Sequence, residues 1–120
     1  MTVRMDRKFW TSLNFHKAVA EEFKRNPASV RAIALKNAEL VARRIRSTDG
    51  KALVQRWGML LESKDDTGVI AHLTSSDPDD ELSVDMRNVT VFSGVLPEEE
   101  RLKIFSEVNR SFREAEMRLP

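Results

Sequence analysis

Three of the four prolines in this chain stand immediately ahead of a run with helical periodicity, each among residues that open helices: Asn26-Pro27-Ala28-Ser29, Asp77-Pro78-Asp79-Asp80-Glu81 and Pro97-Glu98-Glu99-Glu100. Proline has no N–H to donate and a fixed φ, so it breaks a helix or a central strand but is well placed at the first helical position. Asn and Asp cap helix starts, and early acids favour the positive end of the helix dipole. Punctuation of this kind divides 120 residues into short helices.

Between these marks the apolar spacing predicts the elements. From Trp10 to Lys24, Leu13, Val19, Ala20 and Phe23 recur as on a helix, which should end at Arg25-Asn26. Asn26 then caps a second helix running to about Arg46. On a helical wheel Val30, Ile33, Ala34, Leu40, Val41 and Ile45 share one face, and Arg31, Lys36, Arg43 and Arg46 share the other. Asn37 and Arg44 interrupt the apolar face, where Asn37 needs a backbone partner and Arg44 snorkels out at the helix end.

Thr48-Asp49-Gly50 reads as a turn, followed by a third helix carrying Ala52, Leu53, Trp57, Leu60 and Leu61 to about Glu62. Lys64-Asp65-Asp66-Thr67-Gly68 breaks it. Val69, Ile70 and Leu73 then suggest a short fourth helix ending in Thr74-Ser75-Ser76, with a strand as the alternative. A fifth helix opening at Asp77-Pro78 carries Leu82 and Met86. Residues 89–96 are β-branched and apolar and contain Gly94, which suits an extended connector because a lone strand has no partner. In the last helix Leu102, Phe105, Asn109, Phe112, Glu116 and Leu119 form a heptad-like seam. It is too short to establish a coiled coil, so packing on this domain, on a partner's groove or in a homodimer all stay open. The expected fold is a single all-α domain over residues 1–120, a compact bundle of five to six helices with an extended connector before the C-terminal helix and a flexible segment over residues 1–9.

Charge is segregated along the chain. Residues 1–56 hold thirteen Lys and Arg against five Asp and Glu, and residues 57–120 hold seven against fourteen, so a net charge of +1 conceals halves of +8 and −7. Such asymmetry points to charged partners. The stripe Arg31, Lys36, Arg43 and Arg46, with Lys24, Arg25, Lys51 and Arg56 around it, has the composition of a phosphate-contacting surface and equally of a solvated face. The second and third helices, joined through Asp49-Gly50, suit a helix-turn-helix-like pair. The acidic half suits a basic protein partner.

Catalytic patterns do not emerge. There is no Cys, hence no disulfide, thiolate metal site or cysteine nucleophile. His16 and His72 are not at ligand spacing, and no Gly-x-Ser-x-Gly elbow or glycine-rich phosphate loop occurs. The acidic run 77–81 lacks the alternating ligands of a calcium loop, and a helix start explains it. Trp10 and Trp57 fall among apolar residues and read as core. The expectation is a non-enzymatic binding protein with no cofactor or metal. Without a leader-like start or an apolar run of about 20 residues, it is expected to be cytoplasmic and free of membrane association.

Phe15-His16 with Ala18-Val19-Ala20, Asn26-Pro27 with Val30 and Asn37, Trp57 with Leu60-Leu61, and above all the run from Met86 to Arg101 resemble a group of small, largely actinobacterial antitoxin-like proteins. In these the last stretch typically reads Leu-Arg-Gln, then Phe-Ala-Gly-Val-Leu and a Glu-Arg pair. Here Phe92-Ser93-Gly94-Val95-Leu96 and Glu100-Arg101 match it, with Ser93 in place of Ala, Val91 where Pro is common, and residues 64–68 unlike the usual Gly-Pro start of the fourth helix. The resemblance implies an antitoxin that neutralises a cognate, nucleotidyltransferase-like protein toxin by direct contact and also represses its own promoter through operator DNA. Phe92, Gly94, Leu96, Arg101, Phe105 and Phe112 are the expected partner-binding residues, the aromatics because they dominate interface energetics. Arg31, Lys36, Arg43 and Arg46 are the expected nucleic-acid contacts. The alternative is a stand-alone DNA-binding regulator that uses the basic face of the second helix.

Overall fold

The computed structural model describes residues 6–117. Six helices and no strand occur among them: α1 (Arg7–Arg25), α2 (Pro27–Arg44), α3 (Thr48–Glu62), α4 (Asp66–Thr74), α5 (Glu81–Asn88) and α6 (Glu98–Met117). The expected all-α bundle is present, but the connector before the last helix is a series of turns and bends and not extended, with the Val95 N–H donating to the Phe92 carbonyl at 3.2 Å. No helix of the described residues is long and apolar enough to cross a membrane.

α1 begins earlier than its apolar pattern suggests. The Asp6 carboxylate accepts from the Phe9 N–H at 2.9 Å, and Phe9 is buried. Residues 7–9 of the segment expected to be flexible are thus the first turn of α1, and residues 1–5 lie outside the described residues. At the other end Pro27 stops α1 and occupies the first position of α2. Asn26 supplies no side-chain cap to α2, because its amide donates back to Glu22 Oε2 at 2.6 Å.

α2 buries Val30, Ala34 and Ala38, one turn apart. Leu40, expected on the apolar face, is exposed instead, since the stripe that meets the body follows the 30–34–38 ridge. The expected turn at Thr48-Asp49-Gly50 is the first turn of α3: the Ser47 hydroxyl accepts from the Gly50 N–H at 3.0 Å. Gly50 is needed for close approach, because a Cβ there would lie 2.6 Å from Ile45 Cγ2 and 2.8 Å from Ser47 Oγ. The α2–α3 connection is thus Ile45-Arg46-Ser47, not Asp49-Gly50.

Lys64 takes the left-handed conformation that ends α3, with φ 57°. The break is consequently shorter than expected: Asp65 caps α4 by accepting from the Gly68 N–H at 3.0 Å, so Thr67 and Gly68 are already helical. The start of α5 is likewise displaced. Asp80 is its cap and Pro78 lies in the preceding turn, because the Asp80 carboxylate gathers the Ser83 N–H, the Ser83 hydroxyl and the Ser75 hydroxyl at 3.2, 2.7 and 2.7 Å. Met86 enters the core, whereas Leu82 faces outward.

The core centres on Trp57, fully buried, whose ring meets Phe92 edge-on at 5.0 Å. Its indole N–H donates to the Met86 carbonyl at 2.7 Å, which satisfies the polar edge of a large buried side chain. Phe23, Leu61, Val69, Leu73 and Val91 fill the space around it, each of the larger ones worth about 1.5–3 kcal/mol by burial. The irregular connector stays inside this core because its backbone is met by side chains. Asn37 donates to the Val91 and Ser93 carbonyls at 2.9 and 2.7 Å, the backbone partner its position required.

α1 contacts α2, α4, α5 and α6, whereas α6 contacts no helix but α1. Of twenty residues in α6 only Val108 is buried. The expected seam does not form the contact: Leu102 is 53% exposed and Phe105 39%, and Ile104 with Val108 faces the body instead. Leu119 lies outside the described residues.

Candidate interaction surfaces

α6 packs on α1, and residues of both helices line two grooves. One groove, about 410 Å³, has an apolar floor of Trp10, Ile104, Val108, Phe112 and Ala115, and Glu107 is its one charged lining residue. The other, about 540 Å³, runs from the first turns of α1 past the end of α5 to the start of α6, and brings Arg7, Lys8, Arg87 and Arg101 to one place.

The six expected partner-binding residues divide by burial. Phe92 is fully enclosed and Leu96 is 7% exposed, so both belong to the domain's own core and offer no surface to a partner. Gly94 lies exposed on a turn with φ 83°, a conformation that favours glycine. Arg101 pairs with Glu98 and sets its guanidinium 5.4 Å from the Phe105 ring centre. Phe112 is half-buried beneath the Arg7 guanidinium, also at 5.4 Å. Trp10, Ile104, Val108 and Ala115 were missed as site residues, although the spacing of Ile104, Val108, Phe112 and Ala115 is itself helical. A seam drawn through Leu102, Phe105 and Asn109 set the wrong phase.

The basic stripe also changes. Arg31 folds inward: it donates to the Leu61 carbonyl at 3.1 Å and to Asp66 at 2.6 Å, and lies 5.6 Å from the Phe23 ring centre. Its charge is spent tying α2 to the α3–α4 junction. Lys36, Arg43 and Arg46 are exposed; Arg43 and Arg46 stand with Arg44 and Lys51 about the α2–α3 corner, Lys36 lies further back along α2, and none has an ion pair among the described residues.

Neither histidine is free. His16 Nδ1 lies 2.7 Å from the Ser12 carbonyl, which can only accept, so the proton resides on Nδ1 and Nε2 accepts from the Thr90 hydroxyl at 2.8 Å. Thr90 Oγ1 in turn accepts from the Phe92 N–H at 3.1 Å. Burial lowers the His16 pKa from 6.5 to about 4, against the Ser12 hydrogen bond and with the help of nearby Arg87. His72 Nδ1 meets the Ser83 hydroxyl at 2.8 Å, and burial lowers its pKa too. Asp65 and Asp80 cap helix starts, Asp66 pairs with Arg31 and Asp77 accepts from the Asp79 N–H, and no cluster of three potential metal ligands occurs among the described residues.

Arg87 is the exceptional charge. It is 3% exposed, donates to the His72 carbonyl at 2.8 Å, and leaves a buried Nε–H with no partner among the described residues. Burial lowers its pKa, and only Asp80 opposes that shift. No family model, curated protein or solved structure matches the chain.

Proposed function

We propose that this chain is an antitoxin-like binding protein that neutralises a cognate protein toxin by direct contact at the α1–α6 face. One observation carries the reading: α1 is the one helix that α6 packs along, and α6 buries a single residue and leaves an apolar groove between Trp10 and Phe112. With Val108 its one buried residue, α6 leaves Leu102, Phe105 and Met117 exposed, and amphipathic helices commonly complete themselves on a partner. With Glu107 as the groove's charged lining residue, the matching surface is an apolar side chain beside a basic one.

The test is co-expression with the product of the neighbouring reading frame. Growth arrest by that product should be relieved by the wild-type chain and not by Ala115→Arg, which fills the groove from an exposed position, with thermal melting unchanged. Equal relief by the variant, or no arrest to relieve, would overturn the reading.

The α2–α3 corner favours a second activity, non-specific or operator DNA binding. Lys36, Arg43, Arg44, Arg46 and Lys51 are exposed and carry no ion pair among the described residues, the arrangement that releases counterions from a phosphate backbone. The DNA reading expects a gel shift that weakens steeply with salt and disappears on reversing Arg43 and Arg46. Absence of a shift at low salt would refute it.

A further inference from the structure

We infer that the groove lined by Arg7, Lys8, Arg87 and Arg101 binds a phosphate monoester carried on an aromatic body, a ligand of mononucleotide size. The inference stands apart from toxin contact, since it concerns the other of the two grooves.

Charge comes first. Four basic residues and no Asp or Glu are among those that line the groove, although the Arg7 guanidinium itself lies over Phe112. Asp6, the acid nearest Arg7 in sequence, is turned to the Phe9 N–H. Two of the cations have partners outside the lining, Arg7 with Glu116 at 3.7 Å and Arg101 with Glu98, and both carboxylates are 67% exposed. Exposed pairs of this sort contribute little and are readily exchanged for a better anion. His16, also in the lining, is neutral at pH 7 because burial holds its pKa near 4.

Arg87 is the second observation and is independent of the surface cations. Buried charges are normally paired, and an unpaired one is costly. Here a guanidinium 3% exposed has one hydrogen bond to a neutral carbonyl, the face of the Phe9 ring at 5.9 Å, an unmet Nε–H, and no carboxylate within ion-pair distance among the described residues. Asp80, the acid that acts on it, is already committed to three donors from Ser75 and Ser83. An oxyanion entering the groove supplies the counter-charge that the fold leaves out.

The remaining lining fixes the class of ligand. Thr11, Asn88 and Ser93 present hydroxyl and amide donors without side-chain partners among the described residues, alongside guanidinium forks that match phosphate oxygens. Phe15 and Phe105 supply aromatic surface at the same site, with Phe105 39% exposed. A base stacks on such surface without sequence-specific hydrogen bonds. The volume of about 540 Å³ lies within the range of small-ligand sites.

The probe is adenosine monophosphate, titrated by calorimetry at low salt into the full chain, with inorganic phosphate and adenosine as separate arms. Binding with a Kd below about 1 mM is expected, at least tenfold tighter than either fragment. Lys8→Glu and Arg101→Glu should each weaken it at least tenfold with unchanged melting, whereas Arg43→Glu, at the distant basic corner, should leave it within twofold. Arg87→Met is the further variant, and the Arg87 Nε–H resonance should shift on titration of the wild type. No binding by adenosine monophosphate, an equal loss in Arg43→Glu, or a still Nε–H resonance would overturn the site. Inorganic phosphate binding as tightly as the nucleotide would overturn the aromatic component.

Discussion

Acid should destabilise this protein chiefly through His16. At neutral pH the imidazole is uncharged and bridges the Ser12 carbonyl to Thr90, which holds the connector against α1. Its folded pKa, about 4, lies below the ordinary 6.5. Between those values the unfolded chain carries the proton and the native state does not, so stability falls as pH drops from about 6.5 and the contribution is gone below about 4. Each tenfold difference in proton affinity is worth about 1.4 kcal/mol, giving about 3 kcal/mol in full, of which about 2 kcal/mol falls between pH 7 and about pH 4.5. That is a large share of a typical net stability of about 5–15 kcal/mol.

Other groups titrate too. His72 is lowered in the same direction, by burial first. The carboxylates of Asp80, Glu22 and Glu98, lowered by hydrogen bonds from Ser75, Asn26 and Arg101, release their contribution only at lower pH, as each protonates through its folded value. His16→Gln isolates the histidine, because the amide retains hydrogen-bonding atoms and does not titrate. Urea unfolding followed by tryptophan fluorescence at steps from pH 7 to about pH 4.5 should show the wild type losing about 2 kcal/mol more than the variant, whatever the variant's stability at pH 7. Parallel losses in the two proteins would overturn the assignment to His16.

Asn37→Ala leaves the Val91 and Ser93 carbonyls without their donor; a loss of about 1–2 kcal/mol in urea unfolding is expected, and an unchanged midpoint would refute the clasp. Gly94→Ala meets no atom within 4 Å but forces a side chain onto φ 83°, so thermal melting should report a cost of about 1 kcal/mol from the backbone alone. Arg31→Met removes the tie to Leu61 and Asp66. It should lower the melting temperature and leave any DNA gel shift intact, the opposite pattern to charge reversal at Arg43 and Arg46; loss of the shift with melting unchanged would return Arg31 to the basic surface.

Helix number and the interior of the bundle were legible from the sequence because proline punctuation and apolar spacing act locally. Helix starts were misplaced where several cap residues compete. At residues 77–80 Asp77-Pro78 has the expected pattern, but Asp80 wins because Ser75 and Ser83 both reach its carboxylate. Gly50 looked like a turn because close approach by Ile45 and Ser47 has no signature in the local pattern. Among the site residues, Phe92 and Phe112 are indistinguishable by type, and only the fold reveals that one sits against Trp57 and the other under an exposed Arg7. Arg31 was assigned by helical phase to the exposed stripe, but a long side chain can turn from its phase when a carbonyl and a carboxylate lie within reach.

The segregation of charge along the chain persists in the folded domain. Three of the ion pairs among the described residues are local, Glu21 with Lys24, Glu22 with Arg25 and Glu98 with Arg101. Among the described residues, Arg31–Asp66 and Arg7–Glu116 join the basic half to the acidic one. Acids of the second half that would otherwise neutralise the first are taken up at helix starts: Asp65 on α4, Asp80 on α5 and residues 98–100 in the first turn of α6. There the helix dipole and backbone N–H groups compete for them with arginine. Folding therefore stabilises the acids locally and leaves many of the cations to solvent or to an external anion. The same sequence feature that starts the helices thus keeps the positive surfaces available, both at the α2–α3 corner and in the groove beside α6.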